Sequence, residues 1–200
     1  MLESFHCAES FKLLKKQNCN ILEKLKNTDF KEFRKRVISS ILCTDINKHS
    51  KLVETLTFKY ALEPKQDDEE KTFDLINYLT ENSEANKFDI QQDFINFAIH
   101  TADVGHPAKE FSVHKKWTSL IYKEFFNQGD LEKKMGLQVS NMCDREKTDI
   151  STSVVNFINN YTLPSFKLLN CLLPKIINHV EGIESNISEW RKIINENDEK

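Results

Sequence analysis

Residues able to bind a metal ion or to transfer a proton lie close together in the stretch AIHTADVGHPAKEF. His100 and Asp103 are three positions apart, so on a helix their side chains share one face. Gly105 and Pro107 flank His106 and predict that the helix ends at this point. An imidazole and a carboxylate at a helix end suit a metal site or an acid–base pair. A solvated aspartate at a helix C-terminus, with His100 as a core histidine bonded to the backbone, fits the same pattern.

A second cluster lies in TDINKH, where Asp45 and His49 are four positions apart. On one helix these two side chains share a face, and together with His100 and Asp103 they would suit a divalent ion inside a helical bundle. An ordinary pair within one helix, or a buried histidine anchored by a carboxylate, explains the spacing with fewer assumptions. The stretch NMCDREK is predicted to form a polar turn between two apolar helices.

The elements that position these residues are predicted to be helices, because apolar residues recur with helical spacing and no long stretch alternates with period two. Trp117 and the EFF segment are predicted to be core, and a loop is predicted at 63–73. We therefore expect an all-α fold in one domain, residues 1–200. The predicted helical stretches are 11–26, 29–62, 113–130 with a stop at Gly129, 152–173 on either side of Pro164, and 175–194 packed on its own domain.

Composition excludes several classes of protein. A net charge of −3 gives no drive toward nucleic acid. No apolar stretch reaches the ~20 residues of a membrane span, and the start of the chain does not resemble a secretory signal. Five cysteines without a Cys-x-x-Cys pair indicate reduced thiols and a cytoplasmic protein.

Several motifs, taken together and in order, resemble the class I cyclic-nucleotide phosphodiesterases. HTADVGHPAK is similar to the family's His-x-Ala-Asp motif, and its histidine before Pro-Ala-Lys resembles the calmodulin-stimulated branch. The other matching segments are LESFHCAESFKLL (2–14), ILCTDINKH (41–49), WTSLIYKEFFNQGDLEKKMGL (117–137), S-x-MCDR (140–145) and NFI (156–158).

The resemblance implies a compact multi-helix, HD-like catalytic domain with a two-metal site holding Zn²⁺ and Mg²⁺ or Mn²⁺. Asp103 matches the aspartate that bridges both ions. Glu3 and Thr44 match residues that hold metal-bound waters. The implied reaction is hydrolysis of cyclic AMP or cyclic GMP to the 5′-monophosphate in signal transduction, by a metal-bridging hydroxide.

The resemblance also implies a purine pocket. Ile121 and Phe157 match its apolar walls, with Phe157 as one half of the clamp on the base, and His106 matches a position that faces the nucleotide. The purine-reading glutamine aligns with Val154, which can neither donate nor accept a hydrogen bond. The glycine two positions later in the family is Asn156 here.

The family's other metal ligands, two histidines and an aspartate, lie N-terminal to the segment with which this chain begins. The histidine that protonates the leaving oxygen lies there too. The resemblance therefore implies a partial catalytic domain that lacks its N-terminal helices, with apolar helix faces exposed to a partner such as another phosphodiesterase chain. A catalytically inactive helical interaction module derived from a phosphodiesterase is the alternative.

Overall fold

The computed structural model describes residues 2–62, 73–81 and 83–198, and within these ranges it is helical with no strand. The all-α prediction is confirmed. The predicted loop at 63–73 lies outside the described residues except for Phe73. The α-helices are α1 (Leu2–Leu14), α2 (Asn27–Leu42), α3 (His49–Glu54), α4 (Leu75–Glu81), α5 (Glu84–Asp103), α6 (Phe111–Lys134), α7 (Ile150–Phe157), α8 (Leu163–Leu172) and α9 (Ile177–Asp198).

The chain divides into two compact units, Met1–Asp103 and Val104–Lys200. The first unit contains α1 to α5, and the second contains α6 to α9. The single domain expected from the sequence stays a prediction, and each unit is described by itself.

In the first unit, α2 and α5 are joined by polar side chains. Gln92 Nε2 donates to Asn96 Oδ1 at 2.7 Å, and Asn96 Nδ2 donates to Ser39 Oγ at 3.0 Å. Apolar packing lies on the opposite face of α5, where Phe94 contacts Tyr60 at a ring-centroid distance of 4.8 Å. Because buried polar groups must find partners, this network fixes the register of α2 on α5.

The helix predicted over 11–26 is wrong beyond Leu14, where α1 ends. Turns fill the interval before α2, and Asn18 has a φ of +63°, a left-handed conformation that interrupts a helix. The stretch 29–62 is not one helix either, since the chain leaves the helical path at residues 43–45. Periodicity alone did not show these breaks because apolar residues continue through them.

In the second unit, α9 packs against α7 and α8 around one apolar core. The prediction that the tail helix packs on its own domain is confirmed. Phe125 and Phe126 pack against this core as expected, but Trp117 is 52% exposed, so its assignment to the core is wrong. The buried members of the core are Tyr122, Val154, Val155, Ile158, Phe166, Val180, Ile183, Ile187 and Trp190.

Helix α6 does not stop at Gly129, contrary to the prediction, and continues to Lys134. Gly129 is buried, and a Cβ there would lie 2.0 Å from the carbonyl oxygen of Cys143. The glycine is thus needed for close packing of the loop that follows α6, which is the polar turn predicted from NMCDREK. Arg145 also ties this loop to α6 through both carboxylate oxygens of Asp130, at 3.1 and 2.6 Å.

Candidate functional site

Asp103 is the last residue of α5, and its side chain is exposed. The prediction that the helix ends in this stretch is confirmed. Pro107 is the second residue of a short 3₁₀ segment, His106–Ala108, in which a proline is tolerated because the first positions need no amide donor. A carboxylate at this position is accessible to a ligand.

His100 is fully buried in the first unit, and its hydrogen bonds fix its tautomer. Its Nδ1 lies 3.0 Å from the Cys43 carbonyl oxygen, which only accepts, so Nδ1–H is the donor. Its Nε2 must then accept from His49 Nδ1–H at 3.1 Å. His100 is therefore a core histidine bonded to the backbone. This is one of the two interpretations that the sequence allowed.

His49 is buried by this pairing, and burial, followed by the nearby His100, lowers its pKa. The expected pairing of Asp45 with His49 is wrong. Asp45 instead caps a 3₁₀ turn by accepting from the Asn47 amide at 3.0 Å, and hydrogen bonds from Asn47 lower the pKa of its carboxyl group. The structure thus brings together two histidines and leaves both aspartates outside the pair.

The remaining predicted metal-site residues lie on other elements of the first unit. Glu3 is half-buried in the first turn of α1. Thr44 is half-buried just after α2, and its hydroxyl donates to the Ile41 carbonyl at 2.8 Å. A hydroxyl that donates to the backbone keeps its lone pairs available to accept from another group.

The donor set does not by itself fit a two-metal centre. Within the described parts of the chain, no group of three or more His, Cys, Asp or Glu side chains is placed to hold a metal ion. One accessible carboxylate at Asp103, with Glu3 and Thr44 on other elements, is too few ligands to compete with the water around a divalent ion.

In the second unit, His106 is held by a directional chain of hydrogen bonds. Trp190 Nε1–H donates to His114 Nε2 at 2.8 Å, because an indole nitrogen only donates. His114 is therefore protonated on Nδ1, which donates to His106 Nδ1 at 2.9 Å. Neutral His106 must then carry its proton on Nε2, which makes that nitrogen a hydrogen-bond donor.

Burial supports this assignment of protons. It lowers the pKa of His114 to about 4, with a further contribution from the neighbouring His106, and it lowers the pKa of His106. Both imidazoles are therefore neutral near pH 7.

Helix α9 also fixes the backbone around His106. Asn186, which is buried, donates from Nδ2 to the carbonyl oxygens of Pro107 and Lys109, both at 2.8 Å. The positioning residues Trp190, His114 and Asn186 were not predicted from the sequence. Trp190 lies 76 positions from His114 and Asn186 lies 79 positions from Pro107, so no local pattern connects them.

The predicted purine-pocket residues have different environments. Ile121 is half-buried on α6. Phe157 is half-buried at the end of α7 and stacks on Tyr161 at 5.1 Å. Val154 is 6% exposed and belongs to the apolar core of the second unit. The side chain of Val154 thus packs in the core of the second unit.

An open polar cleft of about 290 Å³ lies beside the N-terminus of α7. Asn141 and Lys147 from the NMCDREK turn contribute to its walls, together with Asp149, whose side chain caps α7. None of the predicted metal or purine residues lines it. Among the described helices, none is long and apolar enough to cross a membrane.

Comparisons with known proteins agree with the motif order. A family model described as 3′5′-cyclic nucleotide phosphodiesterase matches residues 1–183. A dual specificity calcium/calmodulin-dependent 3′,5′-cyclic nucleotide phosphodiesterase 1 from Drosophila melanogaster is 33% identical over 177 residues, covering 88% of this chain and 19% of that protein. A probable 3′,5′-cyclic-AMP phosphodiesterase from Caenorhabditis elegans is 34% identical over 191 residues, covering 95% of this chain and 26% of the relative.

Among solved structures, the phosphodiesterase domain of the Salpingoeca rosetta rhodopsin phosphodiesterase superposes with a TM-score of 0.81 and 27% identity. The match covers 99% of this chain and 56% of that domain. The chain thus spans 19% of the length of the Drosophila relative and 26% of the length of the Caenorhabditis relative. It spans 56% of the solved domain.

Proposed function

Because the chain belongs to the 3′,5′-cyclic nucleotide phosphodiesterase family, we propose that it forms part of a site that hydrolyses cyclic AMP or cyclic GMP to the 5′-monophosphate. The match of the family model to residues 1–183 is the observation that carries the proposal. The accessible carboxylate of Asp103 at the end of α5 supports it.

The proposed metal contribution of this chain is Asp103 as a direct ligand, with Glu3 and Thr44 contacting metal-bound water. Family membership supports dependence on divalent ions, and we propose Zn²⁺ together with Mg²⁺ or Mn²⁺. Since the described residues hold no complete ligand group, we propose that the remaining ligands come from polypeptide other than the described residues.

The proposed contribution to nucleotide binding lies in the second unit. Phe157 and Ile121 offer apolar surface to the purine ring, and His106 offers its Nε2–H to an acceptor of the nucleotide. The hydrogen-bond chain from Trp190 supports the role of His106, because a neutral imidazole fixed in one tautomer donates without carrying a charge. Val154, which is apolar and buried, leaves base recognition to groups other than the family's glutamine.

A second function, a non-catalytic helical module that pairs with an active phosphodiesterase, is favoured by two observations. The described residues lack a group of metal ligands, and Val154 stands where the family has a purine-reading side chain. Such a module would bind its partner and would not turn over substrate.

Hydrolysis assays separate the two functions. The chain is mixed with the part of the Salpingoeca rosetta phosphodiesterase domain that has no counterpart here, and cyclic AMP and cyclic GMP hydrolysis is measured with Zn²⁺ and Mg²⁺ or Mn²⁺. We expect turnover that falls at least about 100-fold in Asp103→Asn, because losing a direct metal ligand costs more than losing a supporting one. Asp89→Asn, which changes an exposed carboxylate on the same helix, is the matched control.

Turnover that is equal in the wild-type and Asp103→Asn chains would contradict the role of Asp103. A stable complex without turnover would favour the non-catalytic module.

A further inference from the structure

Two aromatic rings stack at the point where α7 ends. The rings of Phe157 and Tyr161, which we call the aromatic platform, have centroids 5.1 Å apart and an interplanar angle of 26°. Aromatic rings prefer such an offset arrangement to a face-to-face sandwich. Both residues are half-buried, so part of each side chain stays accessible to a ligand.

A widened helical turn holds the aromatic platform. The segment Ile158–Thr162 is a π-helix, after which the Leu163 amide donates to the Ile158 carbonyl five residues earlier. Pro164 follows at once, and in a regular α-helix its ring would clash with the carbonyl four residues earlier. The wider turn avoids this clash and sets the position of the platform.

Buried contacts fix the inner side of this turn. Ile158 and Thr162 are fully buried, and the Thr162 hydroxyl donates to the Val104 carbonyl at 3.4 Å. The Ser165 hydroxyl donates to the Tyr161 carbonyl at 2.8 Å. Because the turn is held in this way, a ligand that stacks on the platform meets a preformed surface and does not have to order it.

The side chains next to the platform offer little to distinguish one base from another. Val154, at the position that matches the family's purine-reading glutamine, is apolar and 6% exposed. Ser153, one turn before Phe157, is hydrogen-bonded to the Tyr122 hydroxyl. Asn160 is exposed, so water competes for its amide. Stacking is therefore the main interaction that this stretch can offer to a base.

Stacking and hydrogen bonding differ in what they distinguish. Every nucleobase has an aromatic face, so a stacking surface tolerates all bases. Discrimination requires polar groups that pair with the edge of one base and are left unpaired by another. His106, proposed above to contact the nucleotide, offers one N–H donor, and each base carries at least one acceptor. These residues can therefore hold a base without selecting it.

We propose that the aromatic platform binds 3′,5′-cyclic nucleotides of both base classes, so that the substrates include the pyrimidine nucleotides cyclic CMP and cyclic UMP besides cyclic AMP and cyclic GMP. The base stacks on Phe157, and Tyr161 is a positioning residue that holds the Phe157 ring. Val154 is the residue that removes purine selection. This inference deepens the nucleotide binding proposed above and rests on it.

NMR titration of the full 200-residue chain tests the platform without requiring hydrolysis. The probes are the four cyclic nucleotides, and the ring protons of Phe157 and Tyr161 report binding. We expect these signals to shift with all four, and the dissociation constants to lie within about tenfold of one another. Ribose 5-phosphate, which has no base, is the control ligand and should leave the ring signals unchanged.

Two pairs of variants separate the roles of the residues. Val154→Gln supplies an amide and should raise the ratio of pyrimidine to purine dissociation constants at least about fivefold, the effect of one net hydrogen bond. Val154→Met, of similar length but without an amide, is the matched control and should keep the wild-type ratio. Tyr161→Leu should weaken binding of all four nucleotides at least about fivefold, whereas Tyr161→Phe keeps the stacked ring and should bind like wild type.

Hydrolysis of the four nucleotides is then measured in the mixture with the Salpingoeca rosetta fragment described above. We expect KM to rise in Tyr161→Leu while kcat stays within about threefold of wild type, because stacking acts equally on the ground state and the transition state. Tyr161→Phe should restore the wild-type KM.

Three results would overturn the proposal. They are ring signals that shift with no cyclic nucleotide, wild-type dissociation constants that favour purines by more than about tenfold, and equal base ratios in Val154→Gln and Val154→Met. Binding of all four nucleotides without turnover would leave this inference standing while the hydrolytic function failed. Turnover confined to cyclic AMP and cyclic GMP would do the reverse.

Discussion

His114 lies at the centre of a hydrogen-bond chain whose direction is set by its tryptophan neighbour. The indole N–H of Trp190 can only donate, so each proton along the chain to His106 is assigned. His114 and Trp190 are buried and His106 is half-buried, which keeps both imidazoles neutral and leaves one tautomer of each. A single donor nitrogen thus decides which nitrogen of His106 is protonated.

Trp190→Phe should raise the pKa of His114 from about 4 toward its ordinary value. Without the indole donor, His114 Nε2 is free to accept a proton, while burial by the remaining neighbours still disfavours the charged form. Histidine titration by NMR measures the change, and Trp117→Phe, at the exposed tryptophan, is the matched control. An unchanged titration of His114 in Trp190→Phe would contradict the assigned direction of the chain.

At the scale of elements, α6 and the loop after it are joined by backbone contact and by surface ion pairs. Lys133 Nζ lies 2.8 Å from Asp144, and Arg145 binds Asp130 through two nitrogens. Such exposed pairs contribute about 1 kcal/mol or less each. The approach of Gly129 to the Cys143 carbonyl is therefore the more demanding feature, because no side chain fits there.

Gly129→Ala should lower the free energy of unfolding by about 1–3 kcal/mol through overpacking. A Cβ at 2.0 Å from the Cys143 oxygen forces the loop away from α6. Gly182→Ala on α9 is the control, since its Cβ would lie 3.7 Å from the nearest atom, the Ala108 oxygen. Urea unfolding measures both variants, and Gly182→Ala should be neutral or stabilising because alanine favours helix. Equal stability of the Gly129 variant and wild type would show that the loop yields freely.

At the scale of the whole molecule, the buried histidines make stability depend on pH. His114 has a folded pKa of about 4 against 6.5 for an ordinary histidine, and burial also lowers the pKa values of His49 and His106. Between about pH 4 and pH 6.5 the unfolded state binds more protons at His114 than the folded state does. Stability is therefore lost as the pH falls below 6.5.

Lowering the pH from 7.5 to 5 should therefore reduce the free energy of unfolding, by about 2 kcal/mol from His114 alone. Urea unfolding at the two pH values measures the loss. His114→Gln keeps an acceptor for Trp190 and a donor for His106, and should lose less stability on acidification than wild type. His179→Gln, at an exposed histidine, should behave like wild type, and the same loss in all three chains would contradict the assignment to His114.

The sequence by itself determined the helical class, the family and the end of α5. Helical spacing of apolar residues requires only neighbours along the chain, and Gly105 and Pro107 terminate a helix through their own backbone restrictions. The order of the motifs from 2–14 to 156–158 predicted the family because several independent segments agree. These inferences depend on local chemistry and on order, both of which are written in the sequence.

Only the tertiary structure decided which side chains meet. His49 pairs with His100 across 51 positions, and His114 accepts from Trp190 across 76. Gly129 proved to be a packing residue, and Trp117 proved to be exposed, because each depends on what lies opposite it. Spacing along a chain fixes the face on which a side chain lies, whereas its partner is chosen by packing between elements that are distant in sequence.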